Sequence, residues 1–356
     1  MKIKFASISS LIFVLAISIV AQEGKIVSPE QTEKISSDLM QNEGDLLAGV
    51  VDAVCYSGFR SGQHPDRGEG AVNPSYDEVL EDLIILSEQC DFKLIRVYDS
   101  GENSEMVLRV ITENNLDIKV LLGIWLRAEL SNHETCEWLH EPIPDKVLQQ
   151  NKILNLNEIK EGIRLADQYK DIVIAVNVGN EALVDWNDHK VHVDTIISYV
   201  RNVKVSIEQP VTVADNYKWW AEQGADLAKE VDFVSIHTYP VWEGKDIDEG
   251  LSYTVANIRE VRDAIPDVPI VITEAGWATT ASEFGDRASE KKQLRYYTEL
   301  ISWAKEMNIT TFFFEAFDED WKGDPANPLG AEKHWGLYTV DRQPKKAALY
   351  IIQKNN

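Results

Sequence analysis

The sequence predicts an α/β fold, a single (β/α)8 TIM barrel with a long insertion after strand three. Between residue 46 and the C-terminus, strand-like and helix-like segments alternate eight times, as parallel β/α units do. No linker or change in composition divides them, and 44% of the residues are apolar. The 356 residues would also allow two domains, but single barrels of this size are common. One domain over residues 46–356 is therefore the simplest arrangement.

The predicted strands are short apolar runs that end in polar or aromatic residues. They span residues 47–56, 92–98, 118–126, 172–181, 211–214, 233–239, 270–274 and 310–317. The predicted helices span residues 74–89, 104–114, 157–169, 191–207, 219–229, 248–264, 289–307 and 345–353. Pro74 suits the first turn of the first helix and Asn73 is its predicted N-cap. The helix would bury a stripe that includes Leu80 and Leu83.

A long connection, residues 127–154, separates the third strand from the third helix. It contains Cys136, Trp138, His140 and two prolines. Connections of this length are unusual in a compact domain unless they serve a site. The insertion is therefore predicted to border the active site.

The N-terminus resembles a secretory signal. Lys2 and Lys4 precede an apolar segment over residues 5–20, and Ala21 follows it, which predicts a signal peptide over residues 1–21. An uncleaved anchor is the alternative, although the apolar run is short for a membrane span. Residues 22–45 are polar and aperiodic and are predicted to form a leader or linker. We expect a secreted or periplasmic protein that does not interact with a membrane after cleavage.

Charge and cysteine content narrow the possible partners. The formal net charge of −24 disfavours nucleic acids and anionic polysaccharides, so a neutral substrate fits better. Cys55 and Cys90 fall toward opposite ends of the predicted barrel, which favours free buried thiols. Cys136 lies in the polar insertion and is expected to be exposed. We expect the protein to act as a monomer.

Two apolar strands each end in a glutamate. IVIAVNVGNE, residues 172–181, stops at Asn180 and Glu181, and PIVITEAGW, residues 269–277, contains Glu274. Burying such groups without partners costs about 2–7 kcal/mol, so they are expected at the barrel mouth. Strands four and seven lie on different sides of that mouth, and their glutamates can face each other. A carboxyl pair that flanks a bound sugar is typical of glycoside hydrolysis.

The remaining strand ends support sugar chemistry because they are rich in carboxylates, amides and aromatic rings. They carry Tyr56, Tyr98, Asp99, Trp125, Asp215, Asn216, His237, Tyr239, Trp277 and residues 315–321. A simple salt bridge to Arg96 is the alternative for either glutamate. His237 is equally compatible with a structural hydrogen bond and a substrate contact. No HExxH motif, GxSxG elbow or P-loop is present, so neither a metal nor another cofactor is predicted.

Several motifs resemble glycoside hydrolase family 17, the β-1,3-glucanase family. They are VNVGNEA at 176–182, ITEAGWAT at 272–279, IRVYDS at 95–100, the Cys55 and Tyr56 pair, and FFFEAFDEDWK at 312–322 followed by EKHWGLYTVD at 332–341. The last two are most similar to the fungal and bacterial branch. The resemblance extends over residues 48–350, whereas the insertion 127–154 and the loop 323–331 have no clear counterpart in the plant enzymes.

The resemblance implies a retaining enzyme with Glu181 as general acid/base and Glu274 as nucleophile. It implies that Asn180 binds the hydroxyl next to the reacting carbon and that Tyr239 supports the nucleophile. Further substrate-binding residues or neighbours of the site are then expected at the following positions: Tyr56, Tyr98, Trp277, Glu319, Trp321, Lys322 and Glu332.

The predicted function is retaining, endo-acting hydrolysis of laminarin-like β-1,3-glucan. For this chemistry Glu181 must carry a proton while Glu274 is charged. A β-1,3-glucan transglycosylase with the same two glutamates is the closest alternative. A non-catalytic glucan-binding barrel is a remote one, since both glutamates are present.

Overall fold

Eight parallel strands close into a barrel in the computed structural model, which describes residues 38–66, 69–137 and 139–355. The strands pair in sequence order and β8 pairs with β1, so the prediction of a (β/α)8 barrel is confirmed. The strands are β1 Asp52–Cys55, β2 Leu94–Arg96, β3 Lys119–Ile124, β4 Val173–Asn180, β5 Val211–Asn216, β6 Val234–Thr238, β7 Ile270–Gly276 and β8 Thr311–Phe314.

Helices follow the strands and cover the outside of the barrel. They are α1 Tyr76–Ile84, α2 Glu102–Asn114, α3 Asp145–Gln168, α4 Val193–Lys204, α5 Tyr217–Gln223, α6 Ile247–Ala264, α7 Glu290–Met307 and α8 Lys346–Asn355. A π-helical turn, Ile85–Gln89, continues α1. Within the described ranges, no helix is long and apolar enough to cross a membrane.

The core lies on both faces of the strands. All residues of β6 and β7 are buried, because the barrel interior covers one face and the helices cover the other. Strands buried on both faces tend to read as apolar runs, as β7 does over Ile270, Val271 and Ile272, which makes such strands recognisable in the sequence. Their C-terminal ends point to one mouth of the barrel.

The first helix begins two residues later than predicted. Ser75, rather than Asn73, is its N-cap, and Glu78 reaches back to the Ser75 N–H, so the two form a capping box. β1 is also shorter than predicted, because residues 43–49 form two 3₁₀ turns.

The third helix begins twelve residues earlier than predicted, at Asp145 instead of residue 157. Its buried residues start only at Asn155, and its first turns expose apolar side chains such as Ile153. The N-terminal half therefore has no buried stripe that the sequence pattern could show. Residues 145–154 of the predicted insertion are helical, and the irregular loop ends at Pro144.

One compact unit spans Leu39–Asn356. It begins before the predicted boundary at residue 46, because Leu39 is buried and Gln41 bonds to both the N–H and the carbonyl of Ile270. Residues 39–45 therefore belong to the barrel domain instead of a linker. The predicted signal peptide, residues 1–21, lies outside the described residues.

The three cysteines are free and buried. For Cys55 and Cys90 this confirms the prediction. For Cys136 the expectation of exposure is wrong, since only 2% of the residue is accessible. Its backbone N–H bonds to the Asn132 carbonyl, in a part of the loop that folds against the connection after β4.

Candidate active site

Glu181 and Glu274 lie close together at the barrel mouth, on either side of His237. Glu181 directly follows β4, Glu274 lies in β7, and His237 lies in β6. The His237 Nδ1 atom is 2.9 Å from Glu181 Oε1 and 3.4 Å from Glu274 Oε2. One oxygen of each carboxyl and this nitrogen all lie within 4.8 Å of one another. The structure therefore brings the two predicted glutamates together across the mouth.

Arg96, at the end of β2, organises the floor of the site. Its fully buried guanidinium donates to Glu274 Oε1 at 2.7 Å, to Asn180 Oδ1 at 2.5 Å and to the Thr273 carbonyl at 3.0 Å. The alternative reading of Glu274 as a salt-bridge partner of Arg96 is thus also correct. A buried charge needs such a partner, and the pairing keeps Glu274 ionised.

The environment of Glu274 favours its charged form. The residue is 5% exposed, and burial by itself would raise the pKa of its carboxyl. His237, Arg96 and the Tyr239 hydroxyl outweigh burial and hold that pKa below its ordinary value. Tyr239 donates to Glu274 Oε2 at 2.5 Å, as the family resemblance implied.

Glu181 is more accessible than Glu274 and is held from the side of the β4–α4 connection. Its backbone has a φ of 47°, the left-handed conformation that is uncommon outside glycine. Asn187 donates from Nδ2 to Glu181 Oε2 at 3.1 Å and also to the Glu181 carbonyl.

Asp215, in β5, supports the connection that carries Glu181. Burial and the charge of Glu181 raise the pKa of Asp215 well above its usual range. Asp215 fixes the connection by accepting from the Leu183 N–H.

The grouping of Glu181, His237 and Glu274 also resembles a metal ligand set. However, both ring nitrogens of His237 already have protein partners: Arg96 Nη1 lies 3.2 Å from Nε2, and Glu181 Oε1 lies 2.9 Å from Nδ1. The Arg96 guanidinium, which also pairs with Glu274, places a positive charge where a cation would have to bind. The residues therefore fit a hydrogen-bonded chain and not a metal centre.

A second cluster of ionisable residues lies near Glu274. Lys322 Nζ is 2.8 Å from Glu315 Oε2 and 2.5 Å from Glu319 Oε2. Burial and the neighbouring charge of Glu319 raise the pKa of Glu315 well above its ordinary value, although Lys322 opposes them. For Glu319, burial acts in the same direction, but Lys322 outweighs it and lowers the pKa. Burial thus favours the protonated form of Glu315, whereas Lys322 favours the charged form of Glu319.

Glu332 and Trp321 complete this side of the site. Burial raises the pKa of Glu332, Lys322 opposes this, and the charges of Glu181 and Glu274 add to it. The Trp321 indole donates to Glu319 Oε1 at 2.8 Å and packs edge-on against Phe59.

The predicted polar contacts lie at the mouth. The side-chain oxygen of Asn180, Oδ1, accepts from Arg96. The side-chain nitrogen Nδ2 is therefore the group that Asn180 can offer to a sugar hydroxyl. Tyr98 is partly exposed, and its ring lies 4.6 Å from the Arg96 guanidinium carbon.

Two predicted sugar contacts are wrong. Trp277 is fully buried, donates to the Arg287 carbonyl and packs against Tyr296 of α7, so its indole lies in the helix layer. Tyr56 is also buried, and its hydroxyl donates to Asp82 of α1. Both side chains stabilise contacts between the barrel and its helices.

Sequence reasoning missed several residues that the fold brings to the site. Glu315 stood among the strand-end residues without a role, and Asn187 and Ser57, which donates to Glu319, had no local signal. Two strongly exposed tryptophans, Trp186 and Trp242, were not recognised as features of the loops. Their exposure depends on how the loops fold.

Comparison with known proteins identifies the family. The model of the BtgE/BtgC glycoside hydrolase domain matches residues 53–336. The chain is 27% identical over 266 residues to a glucan 1,3-beta-glucosidase of Arthroderma benhamiae, covering 70% of this chain and 78% of the relative. It is 27% identical over 303 residues to a probable glucan endo-1,3-beta-glucosidase of Aspergillus flavus, covering 76% of this chain but 40% of that longer protein.

Solved structures show the same architecture. An endo-laminarinase from Formosa Hel1_33_131 superposes with a TM-score of 0.75 at 25% identity, covering 89% of this chain and 90% of that one. A family 17 β-1,3-glucanosyltransferase from Rhizomucor miehei gives a TM-score of 0.62 at 21% identity, covering 86% and 97%, and this supports the fold alone. With the family match over most of the barrel and a carboxyl pair at its mouth, the chain belongs to the BtgE/BtgC family of glycoside hydrolases.

Proposed function

We propose that this glycoside hydrolase is a retaining, endo-acting β-1,3-glucanase that cleaves laminarin-like glucan. In this proposal Glu181 is the general acid/base and Glu274 is the nucleophile. We also propose that the chain belongs to the fungal and bacterial branch of the family 17 β-1,3-glucanases, which its motifs at residues 312–322 and 332–341 support. The names of the relatives and of the Formosa structure support the substrate class.

The spacing of the two carboxyls is the observation that carries the proposal. Oxygens of Glu181 and Glu274 lie within 4.8 Å of each other. Carboxyls about 5–5.5 Å apart let one group attack the sugar directly, whereas inverting enzymes need about 6.5–9.5 Å to admit a water molecule. The shorter spacing therefore supports retention of configuration.

Each residue has a defined part in the two steps. Glu274 attacks the anomeric carbon and forms a glycosyl ester, while Glu181 gives its proton to the departing sugar oxygen. Glu181 then takes a proton from the incoming water, which releases the sugar and restores both carboxyls. Arg96 and Tyr239 keep Glu274 charged before attack. The Asn180 amide is positioned to donate to the hydroxyl beside the reacting carbon.

The charge and the N-terminal sequence bear on the substrate and the location of the enzyme. The net charge of −24 disfavours binding of nucleic acids and is compatible with a neutral glucan as substrate. We propose that a signal peptide over residues 1–21 is removed during export, which would make the protein secreted or periplasmic. We also propose that the enzyme acts as a monomer.

The test is to incubate the protein with laminarin, a mixed-linkage glucan and a soluble cellulose derivative, and to follow the products by NMR and mass spectrometry. We expect rapid shortening of laminarin, with the β-anomer of each new reducing end appearing first. Initial release of the α-anomer would refute retention, and preference for the cellulose derivative would refute the linkage.

The transglycosylase alternative uses the same glutamates, but a sugar hydroxyl replaces water in the second step. A single laminari-oligosaccharide distinguishes the two reactions. Products longer than the starting chain show transfer, and exclusively shorter products show hydrolysis.

A further inference from the structure

Trp186 is an exposed indole near the proposed general acid. It lies in the turn over residues 185–190, within the connection between β4 and α4, and is 48% exposed. Large aromatic side chains usually contribute most of their surface to a core or an interface. A tryptophan with half of its surface in water, five residues after Glu181, therefore needs a reason.

The loop after β3 holds the backbone on both sides of this indole. Asn132 donates from Nδ2 to the carbonyl of Asp185 at 2.7 Å and to the carbonyl of Asn187 at 2.8 Å. Thr135 donates to the same Asp185 carbonyl at 2.9 Å. The insertion that the sequence predicted to serve a site thus fixes the carbonyls of the residues before and after Trp186.

The same turn is attached to the active site. Asn187 donates to the Glu181 carboxylate, and His189 Nε2 lies 2.8 Å from the Asn180 carbonyl oxygen. The Trp125 ring packs against the His189 ring at a tilt of 36°, with centroids 4.6 Å apart. Trp186 is therefore presented by a turn whose position is set both by the insertion and by the residues of the catalytic strand.

The barrel order gives the direction of this surface. Glu274 lies on β7, whereas Glu181 and the Trp186 turn lie at β4, next to the β3 loop. The nucleophile contacts the sugar that it retains, and the general acid contacts the oxygen of the sugar that departs. The leaving-group side of the cleft is therefore the side of Glu181 and β3, and the Trp186 turn lies on that side.

Resting on the proposed function, we propose that Trp186 is a stacking surface for a glucose unit on the leaving-group side of the cleft. The C–H face of a glucose ring is apolar and matches a flat, preorganised indole, while the hydroxyls at its edge stay in water. The same surface would hold an acceptor sugar during transfer, since acceptor and leaving group occupy the same side. Trp186 thereby favours longer substrates and transfer over hydrolysis.

The test compares two substrates in Trp186→Ala. Laminarihexaose places sugars on both sides of the cleaved bond, whereas an aryl β-laminaribioside has a phenol as its leaving group. We expect kcat/KM for the hexaose to fall about tenfold, the factor that follows from leaving roughly 50 Å² of apolar surface uncovered. The loss on the aryl substrate should be at least about fivefold smaller, and longer transfer products should decrease.

Trp186→Phe and Tyr350→Ala serve as controls. The phenylalanine retains an aromatic face and should recover most of the hexaose activity. Tyr350 is an exposed aromatic residue of α8, so Tyr350→Ala should leave kcat/KM unchanged for both substrates. Equal losses of Trp186→Ala on both substrates, or no loss on either, would overturn the proposal.

Failure of the proposed function gives a different result. If the wild-type protein cleaves neither substrate, the glucanase assignment is wrong. Calorimetric titration with laminarihexaose then tests the surface directly: weaker binding by Trp186→Ala supports the stacking role, and equal binding overturns it.

Discussion

Replacing Tyr239 by phenylalanine should move the acidic limb of the pH–rate profile to higher pH. The Tyr239 hydroxyl donates to Glu274 Oε2 at 2.5 Å, in a site where Glu274 is almost fully buried. A hydrogen bond to a charged group contributes about 1.5–3 kcal/mol, and about 1.4 kcal/mol corresponds to one pH unit. Because Arg96 still pairs with Glu274, we expect the lower end, a displacement of about one pH unit.

The sign follows from the charge that the reaction requires. In the proposed reaction Glu274 must be ionised to attack, and its neighbours His237, Arg96 and Tyr239 hold its pKa below the ordinary value. Activity is therefore lost as the pH falls through this lowered pKa. Without the hydroxyl the pKa rises, so the variant loses activity at a higher pH than the wild type, while near-neutral activity is less affected.

The assay is kcat/KM on an aryl β-laminaribioside across the acidic range. Tyr296→Phe is the matched control, because it removes a buried tyrosine hydroxyl that pairs with Thr254 at 2.7 Å in the helix layer. It should lower thermal stability without moving the limb. An unchanged limb in Tyr239→Phe, or the same displacement in both variants, would refute the reasoning.

Three further outcomes are expected. Glu274→Gln should abolish turnover while calorimetry still detects laminari-oligosaccharide binding; substantial residual turnover contradicts the nucleophile assignment. Burial raises the pKa of Glu315 in the folded protein, so above about pH 5 the wild type loses stability, because the unfolded chain ionises this group more readily than the folded one. Glu315→Gln cannot ionise, so its melting temperature should rise relative to that of the wild type as the pH increases through this range. The exposed Glu306→Gln should show no such trend in the same melting series. Trp277→Phe should cost about 1–3 kcal/mol in urea unfolding with little change in KM, whereas a raised KM at unchanged stability would restore Trp277 as a sugar contact.

The error at Trp277 has a geometric cause. Successive side chains of a strand point to opposite faces, so Trp277, three residues after Glu274, faces the helices when Glu274 faces the mouth. Strands buried on both faces carry apolar residues on each, which hides this alternation. Counting from a known site residue would have placed Trp277 correctly.

The start of α3 was missed for the opposite reason. Its first turns bury little, so no helical stripe marks them, and its buried side chains begin only at Asn155. A helix that projects from the surface is recognisable by its backbone hydrogen bonds but not by its apolar pattern. The length of the insertion was accordingly overestimated.

The sequence by itself determined the fold class, because apolar runs alternate with helical stripes. It also located the two glutamates at strand ends, because both lie in recognisable motifs. Only the tertiary structure decided that Arg96 links Glu274 and Asn180, that His237 bridges the carboxyls, and that an insertion fixes Trp186. These contacts join residues far apart in the chain, such as Arg96 and Glu274, which are 178 positions apart. Closure of the barrel brings the ends of β2, β4, β6 and β7 to one mouth, and no local pattern records which side chains then meet there.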